Sequence, residues 1–168
     1  MNNDDNSTPF DLSKTRKYDK KTDKDKLSKN FYKDAKIYLE VAMHCFSFNL
    51  NWTPAVLCNI SFSCELFLKA ILYGFGIDFK NTHGLKNLFE KLPENEQSFI
   101  KKSFIKNNIL MENTEEEFMR CLAEQNEAFT QYRYMCEAKS IVCNYNFLFA
   151  FAHILNFVYE SLVKENFK

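Results

Sequence analysis

Glycine and proline are scarce in this chain of 168 residues, which has three of each. A β-rich fold of this length needs many tight turns, and such turns draw heavily on these two residues. So few chain breakers indicate a small number of long elements, which favours an all-α fold. They also exclude collagen-like and Pro/Gly-rich disordered proteins. The length and the 46% hydrophobic content indicate one domain with a substantial core.

Net charge is also missing, since 22 basic residues balance 22 acidic ones. A general nucleic-acid coat normally shows a basic excess, so this balance weighs against one while leaving room for a local patch. Arginine is rarer still, with Arg16, Arg120 and Arg133 against 19 lysines. Because guanidinium suits buried or bidentate anion contacts better than ammonium, an Arg within an apolar stretch is a candidate ligand.

The six cysteines include no Cys-x-x-Cys pair, and the N-terminus is polar rather than a signal peptide. We therefore expect reduced, buried thiols in a cytoplasmic protein. The Cys and His spacing matches no usual metal site, and no Gly-rich phosphate loop is present. We accordingly predict no metal and no cofactor.

The N-terminal 28 residues differ in composition from the rest, because seven basic and six acidic residues alternate there around few apolar ones. Such a segment cannot bury enough apolar surface to offset its ordering entropy. We expect a mobile tail over residues 1–28 and a helical domain over residues 29–168. Helical periodicity and capping signals predict a single bundle of about five to six helices. The expected helices cover residues 29–50 after a Ser28 cap, 54–73, a short helix from Thr82 to Pro93, 94–109, 114–137 with a Thr114/Glu117 capping box, and 141–164 after a Ser140 cap.

The last of these helices contains an uncharged run of twenty residues, from Ser140 to Tyr159. That length would just cross a bilayer. Its polar residues, Asn144, Asn146, His153 and Asn156, would each cost free energy in lipid. We therefore expect a helix buried by its own bundle or by a second subunit, and no membrane partner.

Two charged pairs stand out because apolar residues surround them. Glu65 and Lys69 lie in the second helix, and Arg133 and Glu137 lie in the fifth. Each pair has the four-residue spacing that places both groups on one helix face. One interpretation is a salt-bridge network that clamps two helices. The other is a polar binding site in which Lys69 and Arg133 contact an anion, with Tyr132 or Tyr134 stacking on a base.

His83 follows Thr82 at the start of the short helix. Its ring could fix the turn by donating to a neighbouring carbonyl, or it could bind a ligand or act in catalysis. The catalytic residue is unknown at this point, and the candidates are His83, Arg133 and Glu137.

A family resemblance joins these positions. The runs Glu65-Leu66-Phe67-Leu68-Lys69-Ala70 and Thr82-His83-Gly84-Leu85-Lys86-Asn87-Leu88, with Gly74 between them and Leu92-Pro93 after them, resemble the HEPN domain (higher eukaryotes and prokaryotes nucleotide-binding). Arg133-Tyr134-x-x-Glu137 is similar to a later element in some branches. The resemblance implies an all-α bundle that is commonly dimeric.

The resemblance also implies function. Many members are similar to ribonuclease toxins or antiphage proteins, and others pair with minimal nucleotidyltransferases. The ribonuclease branch uses Arg, four to six residues, then His. No His follows any arginine here at that spacing: after Arg133 the positions hold Ala138, Lys139 and Ser140. Since His readily moves a proton near neutral pH, its absence argues against the usual cleavage.

Three hypotheses follow. The first is a divergent, non-catalytic HEPN module, a cytoplasmic homodimer that binds a nucleotide, RNA or a protein partner such as a nucleotidyltransferase. Its ligand site would use Glu65, Lys69, Arg133, Tyr134 and Glu137, in a toxin–antitoxin or antiphage defence setting. The second is a divergent endoribonuclease toxin. The third is a helical dimerisation domain with its interface on the last helix.

Overall fold

The computed structural model describes residues 24–48, 53–107, 109–134 and 143–163. Within these ranges the protein is all-α, with no strand, as the scarcity of chain breakers predicted. A π-helical turn, Tyr159–Val163, follows the last α-helix. The α-helices are α1 (Lys24–Phe48), α2 (Thr53–Gly74), α3 (Leu85–Phe89), α4 (Glu94–Lys106), α5 (Glu115–Glu124), α6 (Ala128–Arg133) and α7 (Tyr145–Val158).

Helix α2 is the centre of the bundle. It is apolar around most of its circumference, and the other helices therefore bury it on several sides. It packs along α1 and against α3, α6 and α7. In the described residues α2 alone is long and apolar enough to cross a membrane, but 78% of that window is buried inside the bundle. A central core helix accounts for these features.

Phenylalanine rings fill the space between α3, α4, α5 and α7. Phe104 contacts Phe118 with ring centroids 4.9 Å apart and Phe147 at 5.3 Å. Phe89 and Phe151 complete the cluster, and all five side chains are fully buried. Edge and tilted contacts between such rings add to the free energy of simple burial. The high aromatic content of the chain thus supports the packing of four short helices.

Helix α1 begins at Lys24, so the predicted start after a Ser28 cap was wrong. Ser28 lies inside the helix and is buried, and its hydroxyl donates to the Ala70 carbonyl of α2 at 2.7 Å. The Lys24 ammonium donates to the Gly76 carbonyl at 2.8 Å. The side chain that suggested a cap makes a contact between helices instead.

The N-terminus of α3 is capped by a distant residue rather than by Thr82, which was the predicted cap. Gly84 occupies the N-cap position and offers no side chain. The backbone carbonyl of Asn126 accepts from the Leu85 amide at 2.9 Å. The side-chain Oδ1 of Asn126 accepts from the Lys86 amide, also at 2.9 Å. A Cβ atom on Gly84 would lie only 2.5 Å from that Oδ1. Glycine is therefore needed there for the approach of Asn126.

The predicted single helix over residues 114–137 is divided into α5 and α6 by a turn at residues 125–127, the turn that presents Asn126. The capping signal at its start was correct in part, since Thr114 Oγ1 accepts from the Glu117 amide at 3.1 Å. In a capping box the Glu117 carboxylate would accept from the amide of Thr114, but here it contacts residues that precede Thr114. It accepts from the amides of Met111, Glu112 and Asn113.

Helix α7 begins later than predicted. Its cap is Asn144, whose Oδ1 accepts from the Phe147 amide at 3.0 Å. The predicted cap, Ser140, lies outside the described residues. One face of α7 packs on the core, where Leu148, Phe151 and Leu155 are fully buried.

Replacing Gly84 with alanine should destabilise the fold by about 1–2 kcal/mol, because the new methyl group would displace Asn126 from the amide of Lys86. Urea unfolding of both proteins measures the difference. In an Asn126→Ala background, where the obstructing amide is gone, the same change should cost clearly less. Equal costs in the two backgrounds would contradict this account of the α3 cap.

Candidate functional site

Glu65 and Lys69 lie side by side on α2, as their spacing predicted. The Lys69 ammonium donates to Glu65 Oε1 at 2.6 Å. Both residues are buried, with exposed fractions of 2% for Glu65 and 7% for Lys69. Removing a charge from water costs several kcal/mol unless an opposite charge and hydrogen bonds compensate. The buried charge of Glu65 and that of Lys69 therefore stabilise each other.

His83 completes this cluster of Glu65, Lys69 and His83, which we call the buried triad because two of its three members are buried. Its Nδ1 lies 2.9 Å from Glu65 Oε1 and 3.4 Å from the Lys69 ammonium. We assign a proton to Nδ1, because the carboxylate oxygen at 2.9 Å can only accept a hydrogen bond. In a neutral ring Nε2 is then the acceptor, and the side chain is 69% exposed. The ring is thus held from inside and accessible from outside.

Through His83 the triad links α2 to the loop before α3. The ammonium of Lys69 is occupied by Glu65 and also lies 5.4 Å from the centroid of the Phe79 ring. Lys69 is buried among these groups, and its contact with an outside anion stays a prediction. His83 is the member that reaches the surface.

Helix α6 lies beside the triad. Phe129 and Thr130 line a small cleft together with Glu65 and His83. The Phe129 ring stacks on Phe62 of α2, with centroids 4.6 Å apart. Phe129 is half-buried at the edge of the cleft.

Arg133 lies one turn beyond Phe129 on α6 and is exposed. Its guanidinium carbon is 5.4 Å from the centroid of Phe129 and 4.7 Å from that of Tyr134. One of its nitrogens, Nη2, donates to the Tyr134 hydroxyl at 3.1 Å. Burial raises the pKa of the nearby Cys58 thiol, and the positive charge of Arg133 partly opposes that rise.

The two tyrosines and the glutamate near Arg133 that were predicted as site residues differ in exposure and in whether the structure describes them. Tyr134 is exposed, whereas Tyr132 is buried and donates to Gln125, so it cannot stack on an outside base. Burial also raises the pKa of the Tyr132 hydroxyl. Glu137, the predicted partner of Arg133, lies outside the described residues. Within those residues Arg133 has no ion-pair partner.

A polar groove opens on the surface beside His83, with a volume of about 660 Å³. Its polar side chains include two amides, one lysine and two carboxylates. The residues that line it are Asn81, Thr82, His83, Gly84, Asn87, Glu90, Lys91 and Glu127. Local spacing could not predict this groove, because it joins the loop before α3 to the turn before α6. Within the described residues, no three His, Cys, Asp or Glu side chains are grouped so as to hold a metal ion.

A family model for the HEPN domain matches residues 28–139. The chain belongs to the HEPN domain family. The matched segment contains all of the buried triad together with Arg133 and Tyr134, so the geometry described above lies within the family domain. No curated protein and no solved structure matches the chain.

Glu65→Gln should destabilise the protein by about 3 kcal/mol or more, because it leaves the buried Lys69 ammonium without a carboxylate. Chemical denaturation gives the free energy of unfolding. The matched control is Glu90→Gln, since Lys86 and Glu90 have the same spacing at 3.6 Å but are exposed. That change should cost less than about 1 kcal/mol.

A second variant tests the same explanation. Adding Lys69→Met to Glu65→Gln removes the unpaired charge, so the double variant should recover part of the lost stability. A double variant less stable than Glu65→Gln alone would mean that the ion pair does not explain the effect.

Proposed function

We propose that this HEPN protein is a non-catalytic module that binds a nucleotide or a short RNA segment on the surface formed by His83, the polar groove and Arg133. One observation carries the proposal: an exposed imidazole is fixed through Nδ1 by the buried carboxylate of Glu65. A ring held in this way presents Nε2 to a ligand without first losing rotational freedom. Such preorganisation reduces the entropy cost of binding.

Arg133 supports the phosphate part of this proposal. Its guanidinium is exposed and has no carboxylate partner within the described residues. Contacts with the Phe129 and Tyr134 rings hold it on one face of α6. Guanidinium recognises phosphate oxygens with paired N–H groups, and exposed Tyr134 offers a ring face for a base.

The charges of the groove favour a small ligand over a long one. Among the described residues that line it, Lys91 is the only lysine or arginine, and Glu90 and Glu127 are both acidic. A long RNA backbone would meet these carboxylates and be repelled. Side-chain amides and carboxylates do, however, suit hydroxyl and base groups of a nucleotide. The zero net charge of the chain agrees with a local site rather than an extended basic track.

Binding should be measured by fluorescence anisotropy with a panel of labelled nucleotides and short RNAs. Arg133→Ala should weaken the affinity about tenfold or more, because a charge-assisted hydrogen bond to phosphate contributes about 1.5–3 kcal/mol. Arg120→Ala is the control. Arg120 is also exposed, but on α5, where it lies 3.9 Å from Glu112 and 3.7 Å from Glu117. The Arg120→Ala variant should bind the nucleotides and RNAs with the affinity of the unchanged protein.

Two results would remove the proposed site. One is the absence of saturable binding by any member of the panel. The other is an equal effect of Arg133→Ala and Arg120→Ala, which would indicate only a general dependence on charge.

An endoribonuclease remains the second candidate function, and the contact between Glu65 and His83 favours it. A carboxylate that orients an imidazole is an arrangement used for general acid–base catalysis. This candidate predicts that expression arrests growth and that His83→Ala relieves the arrest. RNA that stays intact with the purified protein would exclude it.

The wider setting is also part of our proposal. From the family we infer a cytoplasmic homodimer within a toxin–antitoxin or antiphage system, and a nucleotidyltransferase is one candidate protein partner. Exposed apolar side chains on α1, including Ile37, Val41 and Phe46, support a subunit interface there. Helix α7 buries most of its apolar residues in its own bundle, so we no longer assign the interface to it.

A further inference from the structure

A second groove lies between α4 and α7, outside the surface described above. Phe99 of α4 and Phe157 of α7 stack there, with centroids 6.1 Å apart and planes 15° apart. Both rings remain open to solvent, with exposed fractions of 40% and 56%. Ile154 lies beside them, and the groove has a volume of about 590 Å³. Exposed aromatic rings grouped in a concavity indicate a site that another segment covers.

The polar residues of this groove are basic. Lys102, Lys106 and His153 line it, together with Ser103 and Asn107, and none of the described residues that line it is acidic. Neither lysine forms an ion pair within the described residues. The groove therefore suits a segment that combines acidic groups with apolar side chains.

The first turns of α1 contact Tyr159, which follows α7 and lies outside the lining of the groove. Ser28 Oγ is 3.4 Å from the Tyr159 hydroxyl, and the Tyr32 and Tyr159 rings stack with centroids 4.1 Å apart. Tyr159 follows Phe157 by two residues. The chain that precedes Lys24 consequently departs from the region where α7 ends.

That preceding chain has the composition that the groove requires. Residues 1–13 carry three acidic groups, Asp4, Asp5 and Asp11, and no basic one. Phe10 and Leu12 are apolar within the same stretch. Eleven residues separate Leu12 from Lys24 and can span about 35 Å when extended. Along α7 the groove runs from His153 to Phe157, which is about 6 Å of helix, so a segment on such a tether is long enough to reach it.

We propose that residues 4–12 of the chain's own N-terminal segment occupy the groove between α4 and α7. Phe10 and Leu12 cover the rings of Phe99 and Phe157, and the aspartates lie next to Lys102 and Lys106. Charge complementarity, the paired apolar side chains and the length of the chain before α1 select this occupant over an unrelated peptide. The proposal does not depend on the nucleotide site.

The test is carbodiimide cross-linking of the full-length protein, which joins a carboxylate to a lysine amine only at close range. Mass spectrometry should find Asp4, Asp5 or Asp11 linked to Lys102 or Lys106. Lys91 is the internal control, because it is an exposed lysine in the other groove. Mixing isotope-labelled and unlabelled chains separates links within one chain from links between two chains.

Two variants make the test specific. Phe10→Ala should reduce the yield of these links about tenfold, because burying a phenylalanine ring contributes more than one factor of ten to an equilibrium constant. Tyr18→Ala removes another aromatic residue outside the proposed segment and should leave the yield unchanged.

Several outcomes would overturn the proposal. Links to Lys91 as frequent as those to Lys102 and Lys106 would show an undirected segment. Links found only between labelled and unlabelled chains would assign the groove to a second copy. An absence of links, together with RNA binding that Lys102→Glu abolishes, would make the groove a nucleic-acid surface instead.

Discussion

The buried carboxylate of Glu65 is the constraint on which the site depends. It lies in the middle of the central helix of the bundle, among buried apolar residues, where an unpaired charge would be strongly destabilising. Lys69 compensates it from the same helix, and His83 does so from the loop that follows. Because both partners meet one oxygen atom, that loop must return to α2 at a defined point. The contact with the core carboxylate of Glu65 thus holds the exposed His83 ring in place.

The position of His83 in turn determines where α6 lies. The next residue, Gly84, allows Asn126 to approach closely and to accept from the first amides of α3. Asn126 belongs to the turn that separates α5 from α6, so this contact holds α6 beside the loop. Phe129 then lines the cleft with Glu65, and Arg133 follows one turn later. The two parts of the proposed binding surface are therefore joined by polar contacts that begin at the core carboxylate.

The sequence was most informative where the determining interactions are local. The apolar periodicity and Pro54 predicted α2 closely, and the four-residue spacing placed Glu65 beside Lys69. It was least informative about helix starts, because a cap can come from elsewhere: Asn126 caps α3 across about forty residues of chain. Ser28 has the chemistry of a cap, but its hydroxyl bonds to a neighbouring helix. The contact between His83 and Glu65 spans eighteen residues and has no local signature.

The geometry of the triad also bears on the choice between binding and cleavage. Glu65 Oε1 accepts from Lys69 at 2.6 Å and lies 2.9 Å from His83 Nδ1, so one carboxylate oxygen holds both partners. The His83 ring is therefore oriented before any ligand arrives, which favours recognition because little rotational freedom is lost on binding. No histidine follows an arginine at the spacing that the ribonuclease branch uses. For these two reasons binding is the function that we favour.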